Sequence, residues 1–308
     1  MRSTVLRTTV ASMLLAGAVA LPAAPAAAAA AGPHLDLTPP AVVGAGLNPA
    51  DIPVEVVNTG GEAQSSVRLR LTVTPVAGSA VRPLDSTLLL TYQFGHQWRS
   101  LSYETRGDTL VATTPALSGV DADGTTTLRL QVSTRPTGSA PHVDEVRVNV
   151  ATEALDGNGA VFATDPAPDT VALVEPRAEL TGWPERLAVG TPAVVTVTLT
   201  NTTPLAYSIL RPGLAMYRAG NDQVVVERLD GDEWTPVSGP SSSYNWWYAD
   251  GYPSLQPGET YSAKLRVTFT DDAAAGEQGH LYHIGYTYFG YPIAVAGHPY
   301  TLEARAVR

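Results

Sequence analysis

The chain has 308 residues, a formal net charge of −10, a pI near 5.0 and no cysteine. The lack of cysteine excludes disulfides, thiol catalysis and cysteine-bound zinc. The acidic balance argues against nucleic acid or anionic lipid as a partner, because neither is attracted to an acidic surface.

The first 31 residues have the pattern of a secretory signal peptide. Arg2 and Arg7 form a basic start, an apolar run follows from Val10 to Leu21, and an alanine-rich tail offers small-residue cleavage sites. We expect cleavage near residues 29–31; a retained anchor is the alternative, and the alanine tail favours cleavage. No later segment has the length of a membrane span. The sequence therefore predicts a secreted, extracellular protein associated with the cell envelope.

The chain beyond the leader alternates apolar and polar residues in short runs. Ser66–Val73 and Val194–Leu199 are examples, and proline and glycine break such runs about every ten residues. Period-two runs rich in Val and Thr are typical of strands with one buried face. We therefore expect an all-β protein of the sandwich type, with no helix longer than a turn or two.

Two halves of the chain share landmarks in the same order. The landmarks are Leu37-Thr38 with Leu180-Thr181, Asn58 with Asn201, Gln97-Trp98 with Glu233-Trp234, and Leu128-Arg129-Leu130 with Leu265-Arg266-Val267. The first two pairs are 143 residues apart, and the last two are 136 and 137 apart. Such order predicts a tandem repeat. We expect a signal peptide at 1–31 and two immunoglobulin-like β-sandwich domains at 33–175 and 176–308.

Two segments carry a resemblance to a known group of proteins. The strands that end in Asn58-Thr-Gly60 and Asn201-Thr-Thr203 resemble the early strand of bacterial extracellular immunoglobulin-like modules of the CARDB and NEW3 type. Asparagine suits this place because its side chain bonds local backbone and tolerates a left-handed turn. Residues 265–276 and 281–284 resemble the E strand, the E–F corner and the strand-F tyrosine (Tyr282) of immunoglobulin domains. The resemblance implies a fold and a role in adhesion or display, and no activity.

Motifs of catalytic and metal centres are missing from the sequence. His280 and His283 are three residues apart, which places them on opposite faces of a strand, so we expect no shared metal. Three acidic clusters fit hairpin turns better than calcium loops, at 121–124, 156–159 and 230–233. A calcium site assembled from distant loops stays open. We expect no aspartate or glutamate with a raised pKa, hence no catalytic residue, and no cofactor.

The stretch Ser243–Tyr252 (SYNWWYADGY) contains five aromatic residues. At the offset of 143 it aligns with Ser100–Thr109 (SLSYETRGDT), in which Arg106-Gly107-Asp108 reads as a hairpin turn. This register predicts a hairpin in both halves, with Trp246 in the core and Trp247 pointing outward.

An outward tryptophan has three open interpretations: it covers the junction between the two modules, packs under a loop, or stacks on a ligand. The candidate ligand-binding residues are Trp247, Tyr252, Tyr248 and Tyr244. The second half also contains four of the five tryptophans and eleven of the thirteen tyrosines, so it is the better candidate for binding.

These observations favour a secreted, non-enzymatic interaction protein that serves adhesion or display outside the cell. We expect its partner to be an unidentified protein or a cell-wall or polysaccharide ligand. One alternative is a carbohydrate-binding module that uses the aromatic residues of the second half. Another is an extracellular hydrolase with dispersed carboxylates, which needs at least two acidic side chains close together in a cleft.

Overall fold

The computed structural model describes residues 32–59, 61–79, 83–134, 144–216, 223–237, 245–249, 251, 253–271, 273–287 and 292–305. The predicted signal peptide lies outside these ranges. No helix within them has the length and apolar character that a membrane crossing requires. The chain from Gly32 to Arg308 forms one compact unit, and its division into two domains stays a prediction.

The regular secondary structure of the described chain is β-strand apart from one helical turn, which confirms the predicted all-β class. The strands are β1 (His34–Leu37), β2 (Val42–Gly44), β3 (Ala50–Asn58), β4 (Arg68–Pro75), β5 (Leu88–Phe94), β6 (Gln97–Ser100), β7 (Tyr103–Arg106), β8 (Thr109–Thr113), β9 (Gly124–Thr134), β10 (Glu145–Leu155), β11 (Val161–Thr164), β12 (Asp169–Val174), β13 (Arg177–Thr181), β14 (Arg186–Ala188), β15 (Ala193–Thr200), β16 (Leu210–Met216), β17 (Val224–Asp230), β18 (Glu233–Pro236), β19 (Asn245–Tyr248), β20 (Thr260–Phe269), β21 (Gln278–Thr287) and β22 (Pro292–Glu303). One helical turn, α1 (Leu84–Thr87), precedes β5.

The strands form four sheets. Sheet 1 has the order β1-β3-β9-β5-β6, and sheet 2 has the order β2-β12-β10-β4-β8-β7 with β11 paired to β10. Sheet 3 has the order β13-β15-β20-β17-β18, and sheet 4 has the order β14-β22-β21-β16-β19. The orders β1-β3-β9-β5 and β13-β15-β20-β17 match the A-B-E-D sheet of an immunoglobulin sandwich, while β12-β10-β4 and β22-β21-β16 match its G-F-C sheet.

Each pair of sheets encloses its own apolar core. Leu69, Leu71 and Val73 alternate with outward polar residues along β4 and are buried between sheets 1 and 2. Val195 and Val197 do the same along β15, between sheets 3 and 4. Each such side chain stabilises the fold by about 1.5–3 kcal/mol when fully buried. The alternating pattern of the sequence therefore becomes two sandwiches.

Asn58 and Asn201 make equivalent bonds at the ends of β3 and β15. The Asn58 amide donates to the carbonyl four residues on at 2.9 Å and to that of Asp121 at 3.0 Å. The Asn201 amide donates to the carbonyl four residues on at 2.7 Å and to that of Leu255 at 3.0 Å. Both asparagines thus bridge two loops. Neither asparagine adopts a left-handed conformation, because Asp123 is the one non-glycine residue with a positive φ in the described chain.

The segment that follows β2 packs against the strands of the second half. Tyr207 is fully buried, and its hydroxyl donates to the carbonyl of Ala45 at 3.0 Å. Burial raises the pKa of Tyr207, so the hydroxyl stays protonated as a donor. A Cβ at Gly46, whose φ is +70°, would meet the Thr287 side chain at 2.6 Å. Tyr207 thus contributes to the contact between the halves, within an apolar cluster that also contains Ala45 and Ile293.

Candidate functional site

The two adjacent tryptophans of β19 have the opposite orientation to the predicted one. Trp247 is only 2% exposed and lies in the core between sheets 3 and 4, opposite Leu214 on β16. Trp246 is partly exposed and faces away from that core. The prediction that Trp247 points outward is therefore wrong, and Trp247 cannot stack on a ligand in this conformation.

The error comes from the register between the halves. The first half does form the predicted hairpin, since β7 pairs with β8 around a turn with Gly107 at φ +61°. β19, however, pairs with β16 just as β8 pairs with β4, so its counterpart is β8 and not β7. In that register Trp247 takes the place of Ala112, which is also buried. The offset has already fallen to about 136 at this point of the chain, as the Trp98 and Trp234 landmarks show.

The other candidate binding residues are Tyr248, Tyr244 and Tyr252, and the structure describes only the first of them. Tyr248 is partly exposed beside Trp246, and the two rings meet edge to face with centroids 6.1 Å apart. Tyr244 and Tyr252 lie outside the described residues, so their part in binding stays a prediction. Sequence reasoning missed Trp246, which it had placed in the core.

The outer surface of sheet 4 brings three aromatic side chains together. A row of directly opposite residues crosses four strands: Gly297 on β22, Tyr282 on β21, Ala215 on β16 and Trp246 on β19. Tyr248 follows Trp246 on the same side of β19. We call the surface formed by Trp246, Tyr248 and Tyr282 the aromatic face.

Small residues set the aromatic rings close to the sheet. A Cβ at Gly297 would lie 2.7 Å from Cε1 of Tyr282, and a Cβ at Gly213 would lie 2.9 Å from Cδ1 of Tyr248. Each ring therefore occupies space that a side chain on the neighbouring strand would fill. The pairing of an aromatic residue with a cross-strand glycine is a signal that the sequence contains but that a search along one strand does not find.

Polar groups border the aromatic face. The guanidinium of Arg211 lies over the Tyr248 ring, 5.2 Å from its centroid. At the other end, the His280 ring stacks beside Tyr282 with a centroid separation of 6.1 Å. A surface groove of about 450 Å³ opens there, lined by Gln278, Gly279, His280, Tyr282, Pro299, Tyr300 and Thr301. The face thus combines apolar rings with hydrogen-bonding side chains, as ligand sites commonly do.

A histidine pair lies on the inner side of the same strands. The buried His283 contacts the carbonyl of Ala178 at 3.0 Å through Nε2, so this nitrogen carries a proton. Its Nδ1 lies 2.8 Å from Nε2 of His298 and accepts from it when both rings are neutral. Burial lowers the pKa of His298. His280 is on the outer side of β21, so the two histidines of the HLYH stretch face opposite ways, as the strand pattern predicts.

A tryptophan covered by an arginine occurs on the outer surface of both sheets 1 and 3. Arg129 lies 5.6 Å from the ring centroid of Trp98, and Arg266 lies 4.6 Å from that of Trp234. Arg266 is also held by two 2.6 Å bonds to Glu227. These contacts explain why the Trp and Arg landmarks recur together in the two halves. A guanidinium thus covers one face of each of these rings, as Arg211 covers the Tyr248 ring on sheet 4.

The acidic clusters of the described chain lie in turns, and two aspartates form one small carboxylate group. The acidic clusters at 156–159 and 230–233 form hairpin turns as predicted, whereas that at 121–124 forms a turn before β9 that does not join paired strands. No group of three or more metal-ligating side chains occurs in the described chain. One expectation is wrong: burial raises the pKa of Asp165, and burial together with the neighbouring Asp165 carboxylate raises that of Asp169. Asp165 accepts from the backbone of Ala167 at 3.3 Å, which is the bond of a local turn.

Comparisons with known proteins find structural similarity alone. No protein-family model and no curated protein matches the chain. Among solved structures, AvmM, which catalyzes macrocyclization in alchivemycin A biosynthesis, is 12% identical with a TM-score of 0.36, over 43% of this chain and 91% of that one. Red sea bream transglutaminase is 14% identical with a TM-score of 0.28, over 88% and 31%. Salmonella α2-macroglobulin is 14% identical with a TM-score of 0.36, over 89% and 16%. Similarities this distant carry no functional inference.

Proposed function

We propose that this protein is a secreted, non-enzymatic interaction protein that binds a partner outside the cell or on the cell envelope through the aromatic face. The observation that carries the proposal is the outward row of Tyr282, Ala215 and Trp246, with Tyr248 beside it. Partly exposed aromatic rings with polar groups at their border are typical of binding surfaces.

The position of the face also supports binding. Its side chains project from paired strands of sheet 4, and the inner side of this sheet is packed against sheet 3 through Leu214, Trp247 and Leu281. Such support holds the rings in place before a partner arrives, which lowers the entropic cost of association. The predicted leader and the resemblance to CARDB and NEW3 modules favour an extracellular role.

Cosedimentation of the purified secreted protein with bacterial cell walls tests the proposal. We expect the wild-type protein to sediment at micromolar concentration and Trp246→Ala to bind at least about tenfold more weakly, since aromatic anchors dominate binding energies. Trp98→Ala is the matched control, because Trp98 is 36% exposed on the outer surface of sheet 1. The proposal fails if the wild-type protein stays in the supernatant, or if the two variants lose binding equally.

A further inference from the structure

We propose that the aromatic face binds a neutral polysaccharide, with one chain crossing the strands so that its sugar rings stack on Tyr282 and Trp246. The inference rests on the proposed function and names the ligand class of the same surface. Four observations lead to it: the alignment of the rings, the small residue between them, the uncharged groove beside Tyr282 and the charge of the protein.

The rings are arranged for an extended ligand. Tyr282 and Trp246 lie in one row on β21 and β19, which are separated by β16. Two strand spacings amount to about 10 Å, so a chain that runs across the strands meets both rings. Of the residues in this row, Ala215 between the rings carries only a methyl group and Gly297 carries no side chain. Ala215 is only 8% exposed, so the ligand would contact the two rings that flank it and not the strand between them.

Flat rings suit the apolar C–H faces of a sugar. A tyrosine or tryptophan supplies a large rigid apolar surface and a polar end, and both change little in conformational entropy when they bind. The glycine at 297 helps to fix the ring position, because a Cβ there would displace Tyr282. Gly297 is thus a positioning residue for the Tyr282 ring.

The groove beside Tyr282 supplies hydrogen bonds without a fixed charge. Gln278, His280 and Thr301 line it, and their side chains can donate to and accept from sugar hydroxyls. The lining that the structure describes includes no carboxylate, lysine or arginine. Tyr300 closes the groove as a neutral phenol, since burial and the nearby Glu277 raise its pKa to about 12.

The charge of the whole protein selects among polysaccharides. A net charge of −10 repels polymers that carry carboxylates or sulfates. Arg211, at the Tyr248 end, is the cation that borders the face, and it already lies against an aromatic ring. A neutral polymer therefore fits this surface better than an anionic one. The alternative to a neutral polysaccharide is a protein partner, and binding experiments must distinguish the two.

Affinity electrophoresis tests the ligand class. The purified protein is run through gels that contain starch, mannan, a soluble β-glucan or hydroxyethyl cellulose as neutral polymers, and hyaluronan or polygalacturonate as anionic ones. We expect at least one neutral polymer to retard the protein and the anionic polymers to leave its mobility unchanged. Retardation by the anionic polymers alone, or by none of the neutral ones, overturns the inference.

Matched variants identify the surface. Tyr282→Ala should weaken the affinity for the retarding polymer about tenfold or more, whereas Tyr282→Phe, which keeps the ring, should stay within about threefold of wild type. Gly297→Ala should weaken it to an intermediate degree because the ring is displaced, and Trp98→Ala should have no effect. Thermal unfolding of each variant shows that the fold is intact. Equal affinities of Tyr282→Ala and wild type contradict the inference.

Failure of the ligand class can be told apart from failure of the proposed function. If cell walls still sediment the protein in a Trp246-dependent way while no neutral polymer binds or competes, the interaction role holds and the polysaccharide is excluded. If protease treatment of the walls also abolishes the sedimentation, the partner is a protein.

Discussion

The substitution Trp247→Ala separates the two adjacent tryptophans by their roles. Trp247 is 2% exposed and contacts a core that includes Leu214 and Val267, so its removal leaves a large cavity between sheets 3 and 4. Truncation of a fully buried tryptophan to alanine costs about 3–5 kcal/mol of folding free energy. Trp246→Ala removes a partly exposed ring from the outer surface, and we expect a loss of about 1 kcal/mol or less.

Urea unfolding followed by circular dichroism measures this difference without relying on tryptophan fluorescence, which the variants themselves change. For an m value of about 3 kcal/mol/M, Trp247→Ala should lower the midpoint by about 1 M or more, and Trp246→Ala by about 0.3 M. A larger loss for Trp246→Ala than for Trp247→Ala would show that the strand has the opposite face inward.

Four further substitutions test the loop bonds, the contact between the halves and the histidine pair. Asn201→Ala removes two hydrogen bonds to loop carbonyls and should cost about 1–3 kcal/mol in urea unfolding, with Asn58→Ala giving a similar loss. Tyr207→Phe removes the donor to the Ala45 carbonyl and should cost about 1 kcal/mol in the same assay. Burial lowers the folded-state pKa of His298, so its contribution to stability is fully present above about pH 6.5 and is lost as the pH falls through the folded-state pKa. His298→Asn should therefore flatten the decrease in Tm between about pH 7 and pH 5, and an unchanged slope would contradict this assignment.

The strand pattern was predictable because a sandwich imposes a strict alternation on every buried strand. Leu69 and Val197 illustrate it: each faces its core, with polar neighbours facing the other way. The bond of Asn58 and Asn201 to local backbone was also predictable, because both asparagines end a strand; their bonds to a distant loop were not predicted. Such local bonds depend on few residues, so a short sequence motif is enough to predict them.

The orientation of β19 was not predictable from a fixed offset. The strand pairing aligns Trp247 with Ala112 on β8, 135 residues earlier, whereas the offset of 143 aligns it with Glu104 on β7. Ala112 is buried and Glu104 is exposed, so assignment to the wrong strand gave the wrong face. The aromatic face was not predictable from the sequence for a different reason. It joins β19, β16, β21 and β22, and the glycines and Ala215 that set its rings in place become meaningful only when the pairing of these strands is known.

Hydroxyl-radical footprinting of Trp246 and Tyr282 is the most direct test of the aromatic face as the binding surface. The purified protein is oxidised with and without the neutral polysaccharide or cell-wall preparation that it binds, and modification is quantified by mass spectrometry for Trp246, Tyr282 and Trp98. We predict that the ligand protects Trp246 and Tyr282 and leaves Trp98 unchanged. Protection of Trp98 with no change at Trp246 and Tyr282 would contradict the proposed surface.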